Sequence, residues 1–275
     1  MRPASLGLST NPPLTHRKPD THSFQVTRAA AAGRAASTTS TTTAIGILSD
    51  THGVLDAAVL VLLSDRGVRH IVHAGDIGPG RHNCKGRLPA AELLERLAAV
   101  APVSAIAGNV DEEGGKAAAA VFAALNRPPG LQVSTAAVVE YELAGLRFMM
   151  SHGHRFPIKP TVTSDGASLT LPSAPANAEA ARHIKAAAKP HVIVCGHTHQ
   201  PVVGRLEGLG DPIVFMNPGS AGPRRFSLPR SFAILSVTPT TVSGARRSRV
   251  SVDRFEYRKE FEQEWGVVDT QEIAI

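Results

Sequence analysis

Aromatic side chains make up only 4% of the 275 residues, with a single Trp and two Tyr. So few rings supply no stacking platform of the kind that single-stranded nucleic acid uses. Cysteine is equally scarce. Cys84 and Cys195 are the only two, and neither belongs to a CxxC pair. A disulfide framework is therefore excluded, and a reducing compartment is the natural reading. No run approaches the ~18 unbroken apolar residues that a membrane span requires, so a soluble chain with no membrane partner is expected. Acidic residues are missing mainly from the start. Residues 1–43 carry Arg2, Arg17, Lys18, Arg28 and Arg34 against one acid, Asp20, which leaves +2 of the formal +6 for the remainder. The pI near 9.7 thus says little about the folded part, and a nucleic-acid partner is not favoured.

Those first 43 residues are rich in Ser, Thr and Ala, contain neither hydrophobic period and lack an apolar signal core. They read as an organelle transit peptide, a chloroplast being favoured over a mitochondrion by the Ser/Thr content, with a disordered tail on a cytoplasmic protein as the alternative. Order begins abruptly at TAIGILSDTHG (residues 43–53), an apolar run ending in polar residues and glycine, as buried parallel strands do. VLDAAVLVLLSDRG follows with helical spacing and Gly67 after its last turn. VRHIVHAGDIG, LPAAELLERLAAVAP and VSAIAGNVDEEGG then give strand, helix and strand. The order β-α-β-α-β indicates an α/β fold with a parallel sheet.

Downstream, residues 131–154 read as strands with a tight turn at Ala144-Gly145. Residues 161–180 read as a loop, 177–190 as a helix, HVIVCGHTHQP and DPIVFMNPGSAG as buried strands with their loops, and SFAILSV and SRVSVDRFEY as closing strands. One domain over 44–258 is the simplest organisation. Residues 259–275 read as a loosely attached tail.

Five strand-ending loops carry His, Asp or Asn: Asp50-Thr51-His52-Gly53, Gly75-Asp76, Gly108-Asn109, Ser151-His152-Gly153-His154 and Gly196-His197-Thr198-His199. Ligands of open α/β sheets gather at the carboxyl ends of strands, so these loops are expected to converge on one cleft. Most alone are ordinary, His-Thr-His after a strand being the stronger signal because residues i and i+2 can face one side. Asp-x-His is often a capped turn, and Gly-Asp and Gly-Asn are turn signals. Together they offer carboxylate oxygens, an amide oxygen and several imidazoles, which suits divalent cations and exceeds what one tetrahedral site needs.

The succession DTHG, GD, GN, HGH and GHTH, with NPGS at 217–220, resembles the calcineurin-like metallophosphoesterase superfamily, and most closely its small bacterial and archaeal branch of the YfcE type. The resemblance spans about residues 44–237. It implies a two-sheet α/β sandwich and two divalent ions at the strand ends, manganese first, with nickel, iron or zinc as alternatives. By position it implies that Asp50, His52 and His199 bind one metal, that Asn109, His152 and His197 bind the other, and that Asp76 bridges them. Asn109 is also a candidate substrate contact.

Many larger members have a histidine directly after the Asn of the GN motif, where this chain has Val110. His154 is therefore a candidate general acid, or else a residue that orients a ligand. Arg224 and Arg225, shortly after NPGS, read as solvated surface in preference to a reach toward a distal substrate group.

The activity implied is hydrolysis of a small phosphate ester, diester or monoester, by a hydroxide held between the metals. Loops 78–90 and 155–180 would shape the cleft. A homodimer is an expectation from small members of the branch, which often pair. A non-catalytic interaction scaffold of the Vps29 kind is the rival reading, and a nuclease ranks third.

Overall fold

The computed structural model describes residues 41–80, 86–113, 130–164, 168–186, 189–225, 227–242, 245–258 and 264–275. The expected transit peptide lies outside them except for its last three residues, as do Cys84 and parts of both cleft-shaping loops.

The opening segment folds as β1 (Thr43–Leu48), α1 (Ala57–Asp65), β2 (Val68–His73), α2 (Ala90–Ala98), β3 (Val103–Ile106), the one-turn helix α3 (Asn109–Glu112) and β4 (Leu131–Ser134). Next come β5 (Val139–Leu143), β6 (Leu146–Ser151), the two-residue strands β7 (Thr161–Val162) and β8 (Leu169–Thr170), and α4 (Pro175–Ala186). The chain closes with β9 (Val192–Cys195), β10 (Val202–Glu207), β11 (Ile213–Asn217), β12 (Arg230–Val242), β13 (Ala245–Arg258) and β14 (Glu264–Ala274).

Two seven-stranded sheets result, in the orders β14-β13-β12-β1-β2-β3-β4 and β5-β6-β9-β11-β10-β8-β7. Alternation along each strand decides which layer a side chain joins. Ile45, Ile47, Phe148, Met150, Val192, Val194, Met216 and Leu235 meet between the sheets. The opposite faces carry Leu48, Phe232 and Ile234 under α1 and α2, and Met149, Ile193 and Phe215 against Ala180 and Ile184 of α4. Each central strand is thus covered on both faces, which is why the sequence shows apolar runs rather than alternation. The fold is an α/β sandwich of two mixed sheets.

The turn between β5 and β6 is a two-residue hairpin, with Leu143 opposite Leu146 and positive φ at both Ala144 and Gly145. Two expectations need correction. Residues 161–180 are not all loop, because β7 and β8 pair there and α4 starts at Pro175. The C-terminal segment is not a loose tail, because β14 pairs antiparallel with β13 from Arg249↔Ala274 to Arg258↔Glu264. Backbone pairing holds this edge strand. Only Trp265 and Ile273 are buried along it, so its apolar period is too sparse to read from sequence.

Parallel pairing of β1 with β2, β2 with β3 and β6 with β9 aligns their carboxyl ends at one edge of the sandwich. The five His/Asp/Asn loops all leave from those ends.

Candidate metal centre

The first two loops extend the β1–β2 ladder past its last regular residue. Asp50 N donates to Gly75 O (2.9 Å), His52 N to Asp76 O (2.9 Å) and Gly53 N to Ile77 O (2.8 Å). Among the described residues, seven non-glycine positions have positive φ, and five of them are Asp50, His52, Asp76, His197 and His199. Side-chain-bearing residues seldom adopt this conformation, and it persists where surrounding bonds over-determine it. Here it turns successive functional side chains into the same cleft.

Two donor groups form. In the first, His199 Nε2 lies 3.1 Å from Asp50 Oδ1, His52 Nε2 lies 3.4 Å from His199 Nε2, and His52 Nε2 lies 4.0 Å from Asp50 Oδ1. Donors about 2.1 Å from one cation stand roughly 3.0–3.5 Å apart when adjacent, so the two spacings to His199 fit a shared ion and the His52–Asp50 spacing is wider. Asp50 Oδ1 is fully buried with no hydrogen-bond partner, an arrangement that is costly unless a cation takes its lone pairs. Its other oxygen is occupied: Ser49 Oγ donates to Asp50 Oδ2 (2.6 Å) and His197 N donates to it as well (3.0 Å).

The second group centres on Asn109 Oδ1, which faces His152 Nε2 at 3.1 Å and His197 Nδ1 at 3.0 Å. His152 Nδ1 donates to Ala74 O (2.7 Å), which aims Nε2 into the cleft. Asp76 stands between the groups. Its Oδ1 is 3.3 Å from His152 Nε2, and its Oδ2 is 3.8 Å from His52 Nε2. All seven proposed ligands therefore converge.

The charges are strongly coupled. Burial pulls the His152 imidazole down, yet its bond to Asp76 and the charges of Asp50 and Asp76 lift it to about 9. Burial alone would raise the Asp76 carboxyl, but His152, the Val110 amide and His52 bring it below the ordinary carboxylate value. Burial takes His52 down to about 4 against the pull of Asp76 and Asp50, and the Arg225 guanidinium adds to the lowering.

His154 lies beside the second group, its ring centroid 5.3 Å from that of His152 and 6.2 Å from that of His197. Its Nε2 meets Glu112 Oε2 at 3.1 Å while its buried Nδ1 has no partner.

The roles of several supporting residues escaped the sequence reading. Asp111 is buried and accepts from the amides of Ile77 (3.0 Å), Gly78 (2.9 Å) and Gly108 (2.9 Å), which ties the Asp76 loop to the Asn109 loop. Burial raises its carboxyl to about 6 despite those amides. Its spacing, three residues after Gly108 at a helix start, was the available signal. His73 Nδ1 accepts from Gly75 N (3.3 Å), so its Nε2–H donates to Thr51 Oγ1 (2.9 Å) and Thr51 donates onward to Ile77 O (3.1 Å). Asn217 Nδ2 donates to Gly196 O and to Thr198 Oγ1, both at 3.0 Å, and braces the His197–His199 loop. Gly108 is required by close approach, since a Cβ there would lie 2.1 Å from Asp76 Oδ1.

A two-sheet sandwich with this donor set at its strand ends defines the metallophosphoesterase class. Residues 44–240 match the calcineurin-like phosphoesterase superfamily domain, and the chain belongs to that superfamily. A probable metallophosphoesterase of Methanothermobacter thermautotrophicus is 26% identical over 179 residues, 64% of this chain and 76% of that protein. Vacuolar protein sorting 29 from Cryptosporidium parvum superposes with a TM-score of 0.54 at 16% identity, covering 85% of this chain and 99% of its own. YfcE, a phosphoesterase from E. coli, gives a TM-score of 0.42 at 24% identity over 71% of this chain and 91% of its own.

Proposed function

We propose that this chain is a phosphoesterase that works with two divalent cations on a small phosphate ester. The observation that carries the reading is Asp76, whose two oxygens face two separate donor groups. Asp50, His52 and His199 would hold one ion and Asn109, His152 and His197 the other, with Asp76 shared. Carboxylate, amide and imidazole donors suit manganese, nickel, iron or zinc. When bound, the ions supply an activated water and neutralise charge on the phosphate.

The chain's own groups prepare that chemistry. Ser49 and the His197 amide fix the Asp50 carboxylate, and Ala74 fixes the His152 tautomer. Val110 supplies no proton to a leaving group. The His154–Glu112 pair supports an orienting role for His154, because its outward nitrogen is engaged and its other nitrogen is shut off from solvent. Esters with good leaving groups are thus the expected better substrates.

A scaffold reading draws on the fold likeness to Vps29. The complete donor set, with an orphaned buried carboxylate oxygen at its centre, favours hydrolysis.

The deciding experiment is hydrolysis of p-nitrophenyl phosphate and bis-p-nitrophenyl phosphate by the full chain, stripped of metal and then supplied with manganese, nickel, zinc or magnesium in turn. Turnover should return with metal and fall at least about 100-fold in Asp76→Asn, since both ions lose a ligand. Two ions bound with no turnover on either ester would transfer the assignment to the scaffold.

A further inference from the structure

Four arginines surround the centre, and three are committed to the protein. Arg87 NH1 donates to His52 O (2.9 Å), Arg155 pairs with Glu112 (2.8 Å), and Arg224 NH2 turns back onto Ser227 O (3.2 Å). Among the described residues, the exposed guanidinium of Arg225 makes neither an ion pair nor a hydrogen bond.

Its position is set by the loop that carries it. After β11, Ala221 N donates to Ser49 O (3.0 Å), and Ser220 Oγ donates to Asp50 O (2.8 Å). Gly222 lies so close to the first metal loop that a Cβ would stand 2.1 Å from Thr51 O. Three further residues reach at most about 11 Å, so the Arg225 backbone stays within that distance of Gly222, which abuts the Asp50–His52 loop.

The far side of the loop is clamped. Arg230 Nε donates to Gly222 O (2.7 Å) and its NH2 to Ala221 O (3.2 Å), while its guanidinium lies 5.2 Å from the Tyr257 ring and 5.1 Å from the Trp265 ring. A loop fixed this firmly, ending in one uncommitted cation beside a cluster of metal-type donors, is built to receive an anion.

We infer that Arg225 is a specificity-determining residue that binds the terminal oxygens of a phosphate ester on the His52–His199 side and biases the site toward phosphomonoesters. This rests on the phosphoesterase reading above. A monoester has three terminal oxygens and carries two negative charges, so oxygens remain for a guanidinium fork after two ions have taken theirs. A diester has only two terminal oxygens and one charge, and offers the fork less.

The test uses the full chain loaded with manganese. Binding of inorganic phosphate is measured by calorimetry beside steady-state hydrolysis of p-nitrophenyl phosphate and bis-p-nitrophenyl phosphate. Arg225→Gln should weaken phosphate binding about tenfold or more, with metal content and melting temperature unchanged. It should raise KM for the monoester more than for the diester. Arg225→Lys should recover part of the loss, and Arg224→Gln should stay within about twofold of the parent. Unchanged phosphate affinity and unchanged KM values in Arg225→Gln would overturn the assignment, as would an equal loss in Arg224→Gln. A parent chain that hydrolyses neither ester would sink the hydrolase reading. Arg225 would still stand as the anion contact if its phosphate binding fell tenfold in the Gln variant.

Discussion

At the scale of single residues, the centre is held in backbone conformations that side chains ordinarily avoid. Asp50, His52, Asp76, His197 and His199 have φ between 46° and 69°, a strain of order 1 kcal/mol or more at each position. Backbone bonds from Asp50 to Gly75 and from His52 to Asp76 hold it, while Asp111 and Asn217 brace the adjacent Ile77 and Gly196. His197 is exposed, and its ring stands edge-on to His152 with centroids 5.2 Å apart, so function rather than burial in the core accounts for it. His197→Asn puts a residue that tolerates left-handed backbone at this position. The metal-free variant should melt at or above the parent temperature while the extra stability conferred by manganese is reduced. Calorimetric melts with and without metal check this, and a variant that melts several degrees lower without metal would assign the His197 ring a structural role.

At the scale of elements, the C-terminal strand does more than close a sheet. Trp265 of β14 stacks edge-on against Phe232 and Tyr257 and donates to Asp56 Oδ2 (3.3 Å). The other oxygen of Asp56 accepts from Ala58 N and caps α1 (3.1 Å). Arg230 reaches Asp56 as well (3.4 Å). One cage therefore ties β14, the start of α1 and the loop bearing Arg225. Trp265→Leu removes the stack and the indole donor. The expected cost is about 2–3 kcal/mol of stability, together with a higher monoester KM at unchanged metal content. Chemical denaturation and steady-state kinetics measure the two. Normal stability with normal KM would show that the cage is incidental.

At the scale of the whole molecule, each donor group draws on both sheets. Asp50, His52, Asp76 and Asn109 follow strands of one sheet, and His152, His197 and His199 follow strands of the other. Bound ions would therefore link the sheets at one edge, and ligation contributes about 2.7 kcal/mol per site at a hundred times its Kd. Protons compete for the same atoms. In metal-free protein His152 is raised from 6.5 to about 9. Its stabilising pairing with Asp76 is complete below 6.5 and is lost as pH rises through about 9. Metal ligation needs the neutral ring, so loaded protein lacks that decline. The gap in melting temperature between manganese-loaded and chelated protein should therefore widen from pH 6.5 to 9. A gap independent of pH would remove His152 from the ligand set.

The sequence by itself determined the alternating α/β order, the hairpin at Ala144-Gly145 and the residue types at the five strand ends. These rest on local signals: apolar runs, helical spacing, glycine after strands, and a chemistry written in side chains. Its reading ran out where a residue's role depends on a partner distant in the chain. Asp111 looks like one acid in a polar stretch until folding brings it the amides of Ile77 and Gly78. Residues 264–274 look like a polar tail until β13 supplies its ladder. Arg224 and Arg225 are indistinguishable neighbours on paper, yet only Arg224 finds a carbonyl in its own loop. Tertiary structure alone decided these points, because hydrogen-bond partners, sheet edges and the field around a charge are properties of packed distance rather than of sequence spacing.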